Sequence, residues 1–237
     1  MTLEQLLFSQ GFGTRKMCRL LITDGQLAIG GEVCTDPAQA TPPLDGETFR
    51  FSVEGKTWEY HAKAYLMLNK PSGYECSQKA KSHPSVYTLL PSPLRTRDVQ
   101  SVGRLDQDTT GLLLFSDDGQ FIHRMASPKH HVPKIYEVTT SENVTDKQVA
   151  QLLAGVVLED SPTPVLALAC KRLTPTHLKL TLAQGKYHQV KRMLAAVGNH
   201  VTALHRSQVG QLALPTALTI GEWRFLTPVE LAMASRA

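Results

Sequence analysis

The segment 101–119 constrains the fold of this chain more than any other stretch, because apolar runs enclose a charged loop in it. The loop carries Arg104, Asp106 and Asp108. The short apolar run Leu112–Phe115 that follows is typical of a buried strand. The pattern therefore predicts a strand, a loop and a second strand, and it places charged side chains at the end of a buried strand.

Asp106 is a candidate nucleophile or charge stabiliser, because it lies two residues from Arg104 and just before a Thr-Thr-Gly sequence. The ordinary alternative is a turn former, whose carboxylate accepts hydrogen bonds from nearby backbone amides. The same alternative applies to Asp108, and with more weight to Asp117 and Asp118, which belong to a turn pattern. The residues alone leave catalysis and turn formation open.

The run Gly-Arg-Leu-Asp-Gln-Asp-Thr-Thr-Gly-Leu-Leu-Leu at 103–114 resembles the catalytic motif of the RsuA/RluA-type pseudouridine synthases. The resemblance implies that Asp106 is the catalytic residue and that Asp108 is not. It also implies that Arg104 helps to replace a base that has flipped out of the RNA.

Two further segments are similar to parts of this family. The alternating segment Lys134–Val138 predicts a strand, in which a tyrosine is most often a core residue. The resemblance implies instead that Tyr136 packs against the target uracil, as an aromatic ring can stack on a base. The sequence Leu-Asn-Lys-Pro-Ser-Gly-Tyr at 68–74 resembles a motif that supports the catalytic loop, and contact of Lys70 with a phosphate is the alternative.

The segment 185–198 predicts a helix. Its apolar positions Val190, Met193, Leu194 and Val197 recur at helical spacing, and Gly198 is a typical C-terminal stop. His188 and Arg192 are expected on the opposite side, with Lys191 on the flank. The segment resembles the family motif in which a Lys or Arg pairs with the catalytic carboxylate, and register favours Lys191, with Arg192 as the alternative. A cation within about 4–6 Å would keep Asp106 ionised, whereas a solvated basic helix face is the ordinary interpretation.

The first sixty residues predict two short helices and a hairpin. The helices span Leu3–Phe8 and Arg15–Thr23, with Thr14 as an N-cap, and the hairpin turns at Gly30-Gly31. The apolar side of the second helix is expected to hold Met17, Leu20 and Leu21. Positions 52–62 are polar and weakly patterned, which predicts a domain boundary there.

This organisation resembles the S4-like RNA-binding domain through short motifs such as those at 30–33 and 45–47. Arg15, Lys16 and Arg19 lie on one face of the second helix, which favours RNA contact, and a solvated face is the alternative. Acidic residues outnumber basic ones over the first sixty positions. Any RNA-facing charge in this segment must therefore be local, and we expect the segment to make a secondary contribution to RNA binding.

Other basic residues are expected to contact RNA phosphates, with solvated charge as the alternative. They are Lys129 and Lys134, which form a local patch with His130 and His131, and Lys186 and His188 in the segment 185–198. A metal site is not expected, because adjacent histidines rarely point at one ion and no carboxylate stands at ligand spacing.

Composition narrows the class of protein. The net charge of +4 is compatible with a nucleic-acid partner. The first residues lack a signal peptide and no apolar run is long enough for a membrane span, so a cytoplasmic protein is expected. The cysteines Cys18, Cys34, Cys76 and Cys170 are scattered without a C-x-x-C and indicate thiols in a reducing compartment. Neither a G-x-G-x-x-G nor a P-loop occurs, and no cofactor is expected.

The remaining patterns predict further helices and strands. Helices are expected at 83–90, 120–126 and 146–153, and strands at 65–70, 165–169, 178–182, 209–214 and 222–226. Thr227-Pro-Val-Glu230 is a capping box with proline at the first helical position, which predicts a short closing helix.

We expect an α+β protein with an S4-like RNA-binding domain at 1–60 and a mixed, mostly antiparallel pseudouridine synthase domain at 61–237. The resemblance implies cofactor-free isomerisation of a uridine in ribosomal RNA, and the segments 127–132 and 198–206 favour small-subunit (16S) RNA. A monomer that binds no membrane is expected. Three alternatives stay open: the same reaction on large-subunit RNA, a non-catalytic rRNA-binding or assembly protein, and a nucleoside hydrolase.

Overall fold

The computed structural model describes residues 1–43, 49–127, 130–158 and 161–236. The chain divides into two compact units, of which the first comprises residues 1–64 and 90–99 and the second residues 65–89 and 100–237. The division into functional domains at residue 60 stays a prediction. Within the described ranges, no helix combines the length and the apolar character that a membrane span requires.

The first unit contains short helices and a small antiparallel sheet. Its elements are α1 (Leu3–Ser9), α2 (Arg15–Thr23), β1 (Leu27–Ile29), β2 (Glu32–Cys34), β3 (Arg50–Val53), β4 (Lys56–Glu59) and α3 (Ser92–Thr96). The strands pair in the order β2-β1-β3-β4. Both predicted helices and the Gly30-Gly31 hairpin are confirmed, and the Thr14 side chain accepts a hydrogen bond from the Met17 amide as the predicted N-cap.

One expectation for this unit is wrong in part. Cys18 and Ile22, one turn apart, form the buried side of α2, whereas Met17 and Leu20 are about half exposed. The third expected residue, Leu21, is partly buried against the same core. The segment 52–62 includes most of the hairpin of β3 and β4, and the first unit continues to residue 64, so a domain boundary within this segment stays a prediction. The predicted motif at 45–47 lies outside the described residues.

The second unit is built on one large sheet with helices against it. Its elements are β5 (Tyr65–Lys70), a 3-10 turn (Val86–Leu89), β6 (Gln100–Ser101), β7 (Thr110–Ser116), α4 (Gly119–Ala126), β8 (Lys134–Thr140), α5 (Asp146–Ala154), β9 (Val156–Leu158), β10 (Ser161–Val165), β11 (Ala169–Thr174), β12 (His177–Leu182), α6 (Gln189–Ala196), β13 (Val201–Val209), β14 (Leu212–Ala213), β15 (Trp223–Phe225) and α7 (Pro228–Ala234).

The large sheet runs in the order β11-β12-β8-β13-β7-β5-β15, while β14 pairs with β13 and β6 with β7. The pair β13 and β7 is parallel, and the other pairings of this sheet among the described strands are antiparallel. The predicted α+β class with a mixed, mostly antiparallel sheet is confirmed. The buried run Leu112–Phe115 forms the middle of β7, which places the loop before it at the end of a central strand.

Several element predictions need correction. The expected helix at 83–90 is only a 3-10 turn, in a segment whose preceding amides at 81–83 bond to the Glu75 carboxylate instead of to helical carbonyls. The apolar run 165–169 is mainly the connection between β10 and β11. The run 209–214 holds the end of β13, a glycine turn and β14. The closing helix α7 is confirmed, with its Thr227 and Glu230 capping box.

Candidate active site

Lys70 anchors the charged loop from inside the protein. Its side chain is fully buried, and Nζ donates hydrogen bonds to the carbonyl oxygens of Pro71 at 3.0 Å, Gln107 at 3.1 Å and Thr109 at 2.9 Å. Burial lowers the pKa of this ammonium group. Support of the loop, rather than phosphate contact, is what this placement allows.

Asp106 lies at the centre of a row of charged side chains. Its side chain is 27% exposed. His188 Nε2 is 3.4 Å from Asp106 Oδ1, and Lys191 Nζ is 3.5 Å from Asp106 Oδ2. Each carboxylate oxygen therefore faces a different nitrogen, and both nitrogens come from the start of α6 or the residue before it.

Lys191 is shared between two carboxylates. Its Nζ lies 2.6 and 2.8 Å from the two oxygens of Asp108, closer than to Asp106. Partial burial acts to raise the pKa of Asp108, but the hydrogen bonds and charge of Lys191 outweigh it, and the pKa lies below its ordinary value. Arg192, the alternative partner, donates to the Tyr187 carbonyl at 3.1 Å.

Two adjoining cavities open beside Asp106. The larger, about 370 Å³, lies within the usual range for ligand pockets. The smaller, about 60 Å³, brings Tyr136 and Asp106 into one wall. Arg104 and Lys186 line both cavities, and both side chains are exposed. Cations and an aromatic ring around one carboxylate suit an anionic ligand that carries a base.

The β-sheet explains the position of Tyr136. It lies on β8, where it pairs in register with Leu180 on one side and Arg206 on the other, and it is buried to 8% exposure. Arg206 is itself buried, and its Nε donates to the Leu112 carbonyl on β7 at 2.8 Å. This bond ties β13 to the strand that follows the charged loop.

The other predicted RNA-binding residues are spread more widely. Lys134 on β8 is half-buried, and burial together with the nearby Arg206 charge lowers its pKa to about 8. In the first unit, Arg15, Lys16 and Arg19 are all exposed, and the two arginines form ion pairs with Glu4. The predicted contact Lys129 lies outside the described residues.

Sequence reasoning missed several residues of the larger cavity, and three of them carry functional side chains. Glu75, Cys76 and Tyr187 line it with Asp106. Burial raises the pKa of the Cys76 thiol, and its sulfur accepts a hydrogen bond from the Leu105 amide at 3.4 Å. Tyr187 lies inside the recognised segment 185–198, and Cys76 follows the motif at 68–74 by two residues. Both recognised stretches could therefore have indicated these residues.

The chain is similar to proteins of known class over most of its length. The family model for RNA pseudouridylate synthase matches residues 64–196. Ribosomal small subunit pseudouridine synthase A of Escherichia coli strain K12 is 45% identical over 174 residues, which cover 73% of this chain and 75% of that protein. The protein of the same name from Pasteurella multocida strain Pm70 is 37% identical and covers 98% of each chain.

A solved structure agrees with this assignment. A crystal structure of a pseudouridylate synthase superposes with a TM-score of 0.69 at 34% identity, and the match covers 99% of each chain. The chain therefore belongs to the RNA pseudouridylate synthase family, and the enzyme class predicted from the sequence is confirmed.

Proposed function

We propose that this protein converts a specific uridine of small-subunit (16S) ribosomal RNA to pseudouridine, with Asp106 as the catalytic residue. The observation that carries the proposal is the wall shared by Asp106 and Tyr136 beside the larger cavity. Similarity to the small-subunit enzymes of two organisms supports the choice of RNA.

The isomerisation of uridine to pseudouridine requires few chemical groups from the protein. The N1–C1′ bond of uridine breaks, the uracil turns, and C5 joins C1′; C5 then gives up its proton and N1 takes one up, so no atom is gained or lost overall. One carboxylate must engage the substrate and a closed pocket must retain the detached base. Asp106, held at both oxygens, supplies the carboxylate, and Tyr136 supplies a face on which the base can stack. The reaction needs no cofactor.

The target base must first leave its stack, which costs a few kcal/mol. Arg104 is exposed and lines both cavities, and we assign it to fill the vacated space and contact a phosphate. Lys186 is also exposed and lines the same two cavities. We assign Lys134, and Arg15, Lys16 and Arg19 of an S4-like domain, to weaker contacts with the RNA backbone.

Nearby carboxylates do not favour hydrolysis of the glycosidic bond. A glycoside hydrolase uses a second carboxyl group as acid, base or nucleophile. Both oxygens of Asp108 bind Lys191, and the Glu75 carboxylate, which lines the larger cavity with Asp106, accepts hydrogen bonds from the amides at 81–83. These interactions stabilise the ionised form of both groups, so neither is held as a proton donor. They support isomerisation over release of free uracil. We place the reaction in the cytoplasm and expect a monomer.

Pseudouridine mapping on unmodified ribosomal RNA tests the proposal. The enzyme is incubated separately with small- and large-subunit RNA, and pseudouridines are located by carbodiimide labelling and primer extension. One new stop in small-subunit RNA is the expected result. A stop only in large-subunit RNA would show that the substrate is large-subunit RNA. Release of free uracil would indicate a hydrolase. If neither RNA is changed, and a ribosomal precursor particle tested in the same way is also unchanged, a non-catalytic binding protein would be favoured.

A further inference from the structure

The two oxygens of Asp106 face different partners, and one of these partners is shared with Asp108. Lys191 approaches Oδ2 at 3.5 Å but binds Asp108 at 2.6 and 2.8 Å, so most of its hydrogen-bonding capacity is directed away from Asp106. Oδ1 faces His188 Nε2 at 3.4 Å. The lysine alone therefore does not fix the rotation of the Asp106 carboxylate.

The backbone at His188 has the left-handed conformation, with φ 47° and ψ 32°. This conformation is uncommon for a residue with a Cβ, and it tends to persist where the surroundings require it. His188 is the N-cap residue of α6, yet its side chain caps no helix amide. The strained backbone thus directs the imidazole toward Asp106 instead of toward the helix.

The Tyr187 ring packs against one face of the imidazole. The two rings stack with centroids 3.8 Å apart and planes 17° from parallel. The Tyr187 carbonyl in turn accepts a hydrogen bond from Arg192, and the Gln189 side chain accepts one from the Lys186 amide at 2.8 Å. The Tyr187 ring therefore packs on one face of the imidazole, and these two hydrogen bonds fix the backbone of the segment 186–192 that carries both rings.

We propose that His188 is a positioning residue for Asp106, which orients the catalytic carboxylate through Oδ1 while Lys191 holds Oδ2. This inference rests on the proposed function and deepens it. It replaces the sequence-based interpretation of His188 as an RNA-backbone contact. A positioning residue changes the rate of the bound complex, whereas a phosphate contact changes the affinity for RNA.

Three substitutions distinguish the contribution of the flat imidazole ring from that of its Nε2 nitrogen. His188→Phe keeps a flat ring on Tyr187 but removes the N–H group. His188→Asn tolerates the left-handed backbone, but its amide is too short to reach Asp106. His188→Gln places an amide nitrogen near the position of Nε2. Urea unfolding of each variant tests whether it folds. If His188→Phe does not fold, His188→Asn alone reports the effect of removing the nitrogen.

The readouts are the single-turnover rate at saturating enzyme and the Kd for the same RNA, first measured with the wild type. The rate should fall about 10- to 100-fold in His188→Phe and His188→Asn, with Kd within about threefold, and His188→Gln should restore most of it. Rates within twofold of wild type in the Phe and Asn variants would overturn the proposal. So would a loss confined to Kd, which would make His188 an RNA contact. If the wild type itself makes no pseudouridine, the proposed function fails and the inference fails with it.

Discussion

Lys191 lies between Asp106 and Asp108. The sequence alone does not show which of these two carboxylates it approaches more closely. Register on α6 favours Lys191 over Arg192 as the partner of Asp106, and Lys191 does lie within 3.5 Å of it. The sequence does not reveal that Asp108 takes the shorter bonds, because Asp108 belongs to a loop whose path is set by the buried Lys70.

The loop anchor itself can be tested by replacing Lys70 with methionine. Lys70→Met keeps the length of the side chain but leaves three buried carbonyl groups without their donor. Removal of a buried charge offsets part of this cost, so we expect the free energy of unfolding to fall by about 2 kcal/mol or more. Turnover should fall too, because the loop that carries Asp106 loosens. Urea unfolding and single-turnover rates measure the two effects.

The matched control is Lys171→Met, at an exposed position of β11. An exposed substitution should change stability by about 0.5 kcal/mol or less and leave turnover unchanged. If Lys70→Met behaved like Lys171→Met in both assays, Lys70 would not be the anchor of the loop.

Lys134 should make stability depend on pH. Its pKa is about 8 in the folded protein and has the ordinary value of 10.5 in the unfolded chain, so the unfolded chain binds more protons between these values. Stability therefore rises with pH across that window, and below pH 8 the full cost of the buried charge is present. Relative to Lys134→Met, the wild type should be least stable near pH 7 and gain as the pH approaches 10.

Urea midpoints from pH 7 to pH 10 measure this difference. Lys179→Met, at an exposed position of the adjacent strand β12, is the control and should show no comparable trend. A constant difference between wild type and Lys134→Met over the whole range would contradict the assigned burial of Lys134.

At the scale of elements, the parallel contact between β7 and β13 depends on Gly111. Its φ is +103°, and a Cβ there would lie 2.4 Å from the Arg206 carbonyl oxygen and 2.8 Å from the Arg206 amide. Both atoms belong to the backbone of β13, so no side-chain rotation relieves the clash. The close approach of these two strands requires glycine.

Gly111→Ala should therefore cost about 3 kcal/mol of unfolding free energy or more, from backbone strain plus displacement of β13. Gly198→Ala is the control, because Gly198 also has a positive φ, of +77°, but has open space around its Cβ position. It should cost about 1 kcal/mol. If Gly111→Ala and Gly198→Ala lost equal amounts of unfolding free energy, β13 would be able to move away from a Cβ at position 111 without an energetic cost.

Elements with strong local signals were predictable. The N-caps Thr14 and Thr227, the Gly30-Gly31 turn and the apolar core of β7 all appear where the sequence indicates them. The apolar run 165–169 was misassigned because the residues that separate β10 from β11 are as apolar as a strand. The long strand β13 carries polar side chains at many positions, and its pairing partners lie far away in the sequence.

At the scale of the whole molecule, charge is distributed unevenly along the chain. The predicted basic face of the first unit is partly neutralised, since Glu4 pairs with both Arg15 and Arg19. The hydrogen bond from Arg19, together with the charges of both arginines, lowers the pKa of Glu4. RNA phosphates must therefore compete with this carboxylate for the arginines.

Glu4→Gln should strengthen RNA binding by releasing the two arginines. Glu32→Gln makes the same change of charge at an exposed position of β2 and corrects for the general electrostatic effect. We expect Glu4→Gln to lower the Kd about two- to threefold more than Glu32→Gln, and to make binding more sensitive to salt. Equal effects of the two variants in filter-binding titrations would argue against RNA contact by this face of α2.

The family could be predicted from residues 103–114, whereas the position of each functional group within the unit could not. The motifs at 103–114 and 134–138 imply roles for Asp106 and Tyr136, but their common cavity wall depends on the path of β8 and of the segment 183–188. The contact of His188 with Asp106 depends on one left-handed residue, which helical periodicity does not predict.

The catalytic role of Asp106 is tested by the single-turnover formation of pseudouridine in Asp106→Asn and Asp108→Asn, with RNA affinity measured in parallel. Asp106→Asn should form no product while its Kd for RNA stays within about threefold of wild type, because the substitution removes one charge and little volume. Asp108→Asn makes the same change two residues away and should keep a reduced but measurable rate. Turnover by Asp106→Asn comparable to that of the wild type would contradict the catalytic role of Asp106.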